Sequence, residues 1–418
     1  MNDQRHWFAG IDWASESHLV RLLDQAGRGR AEKVFKHRGE GLHAMAEWLL
    51  HKTGAAASDI HVAIEVPHGP VVETLLERGF NVYSVNPKQL DRLRDRFTIA
   101  GAKDDSLDGF VLGSCLRSDP HCFRKLDAAD PIIIELREWS RIHDTLTRDR
   151  TRLTHRLNQQ LWRYFPALLD LKADLHDEWL LALWALAPTP DKAARLRPAA
   201  IAALLKRHRV RRLDTDQVLA ILRQKSVTLL PGTIQAGVAQ VTVLAPAIHL
   251  LNQHIRLAEH NLDRLLAQLV EPQQADPALP VEQHDAVILA SLPGIGRTTV
   301  ATLLTEPGKA LHERDYHALR SLTGVAPVTK RSGKACIVIR RLACNPRLAN
   351  AVYHWARGAM QRDPLCRAKY KSLRDRGHSH GRALRSLADR LLNVACAMLR
   401  NRTLFDPTKG HKFALDKG

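Results

Sequence analysis

The chain has 418 residues and carries 62 Lys and Arg against 44 Asp and Glu, a formal net charge of +18. That length allows two or three domains with separate cores, and 45% hydrophobic with 25% charged residues is ordinary for a soluble globular protein. The positive surplus favours a polyanion, because each phosphate neutralised releases condensed counterions; a membrane surface is also anionic, so charge alone does not choose between them.

The first ~120 residues alternate strand and helix signals. "WFAGIDWA" and "HLVRLLDQAG" predict two strands around a turn, and "AEKVFKH" a third. "GEGLHAMAEWLLHKTG" has helical apolar spacing and a Gly stop. "IHVAIEVP" predicts a buried strand, "PVVETLLERG" a helix with Pro near its start, "FNVYSVNP" another strand and "DSLDGFVLGSCLR" another helix. Hairpin strands followed by alternating helices and strands give a mixed sheet with helices packed on it.

From about Asp130 the strand signals vanish. The run from "PIIIELREWS" to "LWRYFPALLDL" is one long helical pattern, ended or kinked at Pro166. Its polar face carries Arg141, Arg148, Arg150, Arg152 and Arg156. Shorter helices and the cluster "KRHRVRR" fill 170–235, and "VAQVTVLAPAIHLLNQHIRLAEHNLDRLLAQL" predicts a second long helix with a break at Pro246. Its apolar spacing suits a partner helix, in this chain or in a second copy. A Pro-rich linker, "EPQQADPALPVEQ", precedes a third region with helices around "LPGIG", strands near "ACIVIRR" and a helical end; the last dozen residues form a loose tail.

No apolar run approaches the ~20 residues of a bilayer crossing, and "MNDQRHWFAG" lacks the layout of a signal peptide. Six cysteines without a C-x-x-C pair exclude a disulfide scaffold and argue against structural zinc. Cys336, Cys344 and Cys366 read as partly buried thiols, and His378 and His380 in "GHSHGR" as solvated or phosphate-facing. The expected setting is a reducing cytoplasm, with nucleic acid as partner and no membrane.

The acidic residues are more pointed. "AGAKDDSLDG" holds Asp104, Asp105 and Asp108, and Asp105 and Asp108 share one helix face about 5–6 Å apart. Capping explains such a pair when it stands alone, since first-turn Asp complements the helix dipole. It does not stand alone. Asp12 interrupts the apolar strand "FAGIDWA" and Glu65 ends the apolar strand "VAIEV", where an ionised group has no cheap partner. Four such carboxylates can hold one or two Mg²⁺ ions, the arrangement that serves phosphoryl transfer.

"GIDWA", "IEVPHGPVVETLLERGFNVYSVNP" and "AKDDSLDGFVL" resemble the DEDD transposases of the IS110 family of insertion sequences. The resemblance implies an RNase H/RuvC-like α/β domain over 1–125, with Asp12, Glu65, Asp105 and Asp108 as catalytic metal ligands for Mg²⁺. Asp104 falls outside that set. Gly109 departs from the Ala common after the last acid, at some cost in helix stability. A helical, basic, coiled-coil-like region over 126–275 and a mainly helical C-terminal domain over 284–405 follow, with the loose tail at 406–418.

Within the C-terminal domain, "LPGIGRTT" reads as a helix-hairpin-helix-like turn in which Gly294, Gly296 and Arg297 approach a phosphate, or as a plain inter-helix turn. "LTGVAPVTKRSGKACIVIRRLACNPRLANAVYHWA" is similar to the family's C-terminal transposase domain, which assigns the DNA-attacking serine to Ser332, with Lys330, Arg331 and Lys334 beside it. The resemblance implies a site-specific DNA recombinase that excises and inserts its element, in the cytoplasm at the nucleoid. Its partners are then target and donor DNA, a structured guide (bridge) RNA suited to Arg148, Arg152 and Arg156, and a second copy or more, as dimer or tetramer. The rival readings are a junction-resolvase-like metal nuclease, a non-catalytic nucleic-acid-binding protein, and a sugar kinase, which the missing phosphate-binding Gly pairs oppose.

Overall fold

The computed structural model describes residues 6–97, 105–126, 130–270, 285–332 and 335–407. The chain divides into two compact units, Met1–Asp130 and Pro131–Gly418.

The first unit is built on a six-stranded sheet of order β3-β2-β1-β4-β5-β6. β1 (Trp7–Trp13), β2 (Ser17–Leu23) and β3 (Gly29–Lys36) form the antiparallel meander expected from the opening sequence. β4 (Ile60–Ile64) joins β1 in parallel, β5 (Asn81–Ser84) joins β4 in parallel, and β6 (Arg124–Leu126) closes the edge antiparallel. β6 was not expected, because three residues in "HCFRKLD" carry too little alternation to read as a strand.

One sheet face is covered by α1 (Gly39–Thr53) and α2 (Pro70–Glu77). Leu42, Met45, Ala46 and Leu49 repeat at helical spacing and pack with Ile11, Val20 and Ile64. α1 stops at Gly54, whose positive φ of 60° lets its N–H reach Leu50 O. The opposite face carries α3 (Pro87–Arg94) and α4 (Asp105–Ser118), with Ala63, Leu90, Val111, Leu112 and Leu116 in its core.

Glycines set how closely α4 lies on β1. A Cβ at Gly10 would stand 1.9 Å from the Gly109 carbonyl oxygen and 2.8 Å from Gly113 N. A Cβ at Gly109 would stand 3.3 Å from Gly10 O, so the helix-weakening glycine is the one that permits the contact. Gly10→Ala should therefore cost about 3 kcal/mol or more, because backbone, not a flexible side chain, must move. Urea unfolding checks this against Gly39→Ala, whose added Cβ meets nothing within 4 Å. Equal midpoints for both variants would contradict the packing.

In the second unit α5 (Pro131–Tyr164) runs beside the long helix Thr233–Val270. Leu136 meets Leu262 and Leu265 in one cluster, while Leu157 and Leu161 share another with Val241, Leu244 and Ile248. The pairing is antiparallel. α5 ends before Pro166, as expected. The expected break at Pro246 does not occur: Thr233–Val270 is continuous through it. Buried Leu244, Ala245 and Ile248 bracket the proline and keep the helix continuous where its own N–H bond is lost.

This helix also bears on the expectation that no apolar run is long enough to cross a bilayer. Thr233–Leu269 is long and apolar enough to cross a bilayer by length and composition, with a mean hydropathy of 1.5 over its most apolar stretch. Scattered His, Asn and Gln hid the run in the sequence. Val241, Leu244, Ile248, Leu262 and Leu265 place one of its faces in the unit's own core.

Short helices fill 167–222, and the C-terminal core gathers Ile288, Leu303, Trp355, Leu384 and Leu391. A two-stranded hairpin, β7 (Val328–Ser332) and β8 (Ala335–Ile339), belongs to this unit.

Candidate active site

Register alone brings two of the four predicted acids together. Ile11 on β1 pairs with Ile64 on the parallel β4, so Asp12 and Glu65 are the next residues at the carboxyl ends of adjacent strands. Neighbouring strands lie about 4.8 Å apart. Alternation assigns their face. Gly10 touches α4, and Ala63 belongs to the α4-side core, so Asp12 and Glu65, each two residues further, fall on the α4 side. Both are partly buried.

α4 runs antiparallel to β1 over this face. Gly113 lies over Ala9 and Gly10, whereas Gly109, one turn earlier, lies over Gly10, Leu19 and Arg21. Leu19 is the β2 partner of Asp12. The first turn of α4, starting at Asp105, is thus directed toward the Asp12 end of the sheet. The Asp105 side chain and Asp104 lie outside the described residues. The helix start is pinned from the sheet: Arg21 on β2 bonds the Ser106 hydroxyl and pairs with Glu32 at 3.2 Å, and Ser106 Oγ donates to Glu32 Oε2 at 2.6 Å.

Asp108 has a specific partner. Arg94 at the end of α3 donates from Nε to Asp108 Oδ1 at 2.6 Å and from Nη2 to Oδ2 at 2.8 Å. The two side chains are only 14% and 15% exposed, so the bidentate pair works in a partly desolvated setting. The Asp108 hydrogen bond raises Arg94 above the ordinary guanidinium range, against a smaller opposing effect of burial. Arg94 also reaches Asp91 at 3.0 Å. Sequence reading missed Arg94, which stands 14 positions before its partner across a segment without regular signals.

The donor set suits a hard cation. Asp12, Glu65 and Asp108 offer carboxylate oxygens with neither thiolate nor imidazole among them. The Arg94 guanidinium already supplies positive charge to Asp108, standing in for a cation there. Among the described residues the group of three donors lying within 4.8 Å of one another is a different one, Asp174, His176 and Asp177. It sits between short helices of the second unit, where Asp177 also accepts from Trp179 Nε1.

The remaining predicted residues lie in the second unit. Gly294 has a positive φ of 68°, and a Cβ there would stand 2.3 Å from Ala359 N, so this glycine packs its turn against the helix Pro346–Arg362. Gly296 caps the helix Arg297–Thr305, and Arg297 is paired with Asp263. Ser332 ends β7, exposed and opposite Ala335; Lys330 and Arg331 precede it on the same exposed strand. Gly333 and Lys334 lie outside the described residues. On β8, Ile337 and Val338 are exposed as well, so the hairpin stands out from the core as an arm.

Arg148 and Arg152 pair with Asp144 and Asp149 along α5, and Arg156 is exposed on the same helix. With Arg side chains 62% and 76% exposed, such pairs contribute at most about 1 kcal/mol and yield readily to phosphate. Cys344 and Cys366 are half-buried, but Cys336 is exposed. Burial, with the Asp363 carboxylate beside it, pushes the Cys366 thiol up to about 12, which keeps it protonated.

Comparison with known proteins gives the family. The IS110 DEDD family model, described as a transposase, matches residues 9–166, and the transposase IS116/IS110/IS902 family model matches residues 286–371. The "Mini-circle putative transposase for IS117" of Streptomyces coelicolor is 31% identical over 407 residues, covering 96% of this chain and 95% of that protein. "Insertion element IS110 uncharacterized 43.6 kDa protein" of the same organism is 27% identical over 406 residues, 96% of this chain and 95% of that protein. "Putative transposase y4uE" of Sinorhizobium fredii is 65% identical over 215 residues, which is 51% of this chain and 60% of that protein. Both matched models describe transposases. The chain belongs to the IS110 family of transposases.

Proposed function

We propose that the chain is a DNA recombinase that excises and inserts its mobile element by phosphoryl transfer, using a serine nucleophile and a carboxylate-held metal. The observation that carries this reading is the register of Asp12 and Glu65, side by side at the ends of β1 and β4, with the first turn of α4 directed to the same end. An antiparallel three-strand meander joined in parallel to β4 and β5, with helices on both faces, supports an RNase H/RuvC-like assignment.

Asp12, Glu65, Asp105 and Asp108 would hold Mg²⁺, which when bound supplies charge neutralisation at the scissile phosphate. The chain's own residues do the rest. Arg94 orients the Asp108 carboxylate and balances its charge. Ser332 Oγ attacks phosphorus: the Oγ–P bond forms, the bond from phosphorus to a sugar oxygen breaks, and that oxygen leaves as a hydroxyl while the serine gives up its proton. The ester conserves the cleaved bond, so attack by another sugar hydroxyl rejoins strands and returns the serine. Lys330 and Arg331, which precede Ser332 on its exposed strand, would stabilise the phosphate's developing charge.

The partners follow from charge and helix faces. Val243, Leu250 and Leu257 are exposed at seven-residue spacing on the helix Thr233–Val270, a stripe that suits a second copy of the chain. Donor and target DNA, and a structured guide RNA, suit the +18 charge. Replacing Arg148, Arg152 and Arg156 together with Ala should weaken RNA binding and flatten its log–log salt dependence, by up to about 0.9 for each phosphate no longer neutralised. Filter binding over a salt series measures both. A protein that purifies free of RNA and chooses its DNA target unaided would contradict the RNA-guided part of this reading.

A further inference from the structure

We propose that Arg340, Arg382 and Arg385 form a binding site for a backbone phosphate of the DNA strand engaged by the Ser332 hairpin; this rests on the recombinase reading above. Together with Arg320, Arg341 and His378, these residues line a cavity of about 460 Å³ at the base of the hairpin.

Two elements build it. Arg340 directly follows β8, whose Val338 and Ile339 also line the cavity. Arg382 and Arg385 stand one turn apart on the long C-terminal helix His380–Asn401, with Asp389 one turn further along the same face. Asp389 cannot neutralise them. Its Oδ1 accepts from Arg320 Nε at 3.0 Å and from Tyr316 at 2.8 Å, and its Oδ2 accepts from Arg320 Nη2 at 2.5 Å. Among the described residues no carboxylate forms an ion pair with Arg340, Arg382 or Arg385.

Arg340 and Arg382 are exposed and Arg385 is half-buried, and all three line the same cavity. Burial, and then the charges of Arg340 and Arg382, push Arg385 below the ordinary guanidinium range. Arg382 also stands in the first turn of its helix, where the dipole disfavours a cation. His378 adds a buried Nδ1 with no hydrogen-bond partner, and burial with nearby Arg382 and Arg376 lowers its basicity. A phosphodiester answers each of these: it neutralises the cluster, matches guanidinium forks, and offers oxygens on several sides.

The spacing to the proposed nucleophile favours DNA as the source of that phosphate. Ser332 pairs with Ala335 and Val328 with Ile339, four residues apart. At ~3.4 Å per residue the cavity end of the hairpin lies ~14 Å from Ser332. Each DNA strand carries a phosphate every ~3.4 Å of helix axis, so phosphates a few nucleotides from the one at Ser332 come within this span.

The test compares the full-length protein with Arg382→Ala/Arg385→Ala and Arg382→Lys/Arg385→Lys, each carrying the natural Ser332. Binding to a short random-sequence DNA duplex, and separately to an RNA of equal length, is followed by fluorescence anisotropy across a salt series, with thermal melting as the folding control. The Ala variant should melt no lower than wild type, bind DNA at least tenfold more weakly at physiological salt, and lose ~1–2 from the log–log salt slope. The Lys variant should retain most of that slope. An unchanged DNA slope in the folded Ala variant, or a loss confined to RNA, overturns the site. Wild-type protein that binds DNA but recombines none of it would instead count against the recombinase reading alone.

Discussion

Asp105→Asn, and separately Asp12→Asn, should lower metal-dependent strand cleavage by more than about 100-fold while leaving DNA binding nearly unchanged. Loss of even an outer partner of a metal ligand costs about 10–100-fold, so loss of a ligand charge should cost more. Binding should survive because phosphate contacts, not these acids, supply most affinity. Asp104→Asn is the matched control, since it removes a neighbouring charge without removing a proposed ligand. Cleavage assays on labelled duplex with and without Mg²⁺ check this, and isothermal titration of the metal alone gives a readout independent of activity. Full Mg²⁺-dependent cleavage by Asp105→Asn would take that residue out of the site.

Ser332→Ala should abolish strand exchange, by ~10³-fold or more, with metal, RNA and DNA affinities within about twofold of wild type. The hydroxyl is the only group removed, and a missing nucleophile leaves the binding surfaces in place. The exposed position of Ser332 at the end of β7 means that the substitution empties no core. Folding is therefore expected to be unaffected, and a melting curve verifies it. If the Ala variant recombines a supercoiled donor at the wild-type rate, the strand is opened by another nucleophile.

Much of the first unit was legible. Asp12 and Glu65 stand out because each interrupts or ends an apolar run, and that contrast survives in a single sequence. Helix α1 could be bounded from its apolar spacing and Gly54. The register that sets Asp12 beside Glu65 could not be read, because parallel strands are joined by a crossover that fixes no pairing locally. The role of Gly10, Gly109 and Gly113 was equally hidden: a strand glycine and two helix glycines look like weak points until their close approach is seen.

Pairings between distant charges were the least legible. Arg94 with Asp108, and Arg320 with Asp389, depend on tertiary placement, and nothing in either local sequence selects the partner. The crowding of Arg340, Arg382 and Arg385 arises where a strand end meets a helix about 40 residues later, and the basic composition spread that signal over the whole chain. Pro246 misled in the other direction. Its local preference for a break loses to the buried residues packed on either side of it.

The most direct test of the account is covalent trapping. A nicked suicide target, from which the cleaved fragment diffuses away, is incubated with wild-type protein and Mg²⁺ and resolved on a denaturing gel. The account predicts a protein–DNA adduct resistant to denaturant, and mass spectrometry of its digest should place the nucleotide on the peptide containing Ser332. Free DNA ends with no adduct, or a nucleotide mapped to any other residue, would contradict it.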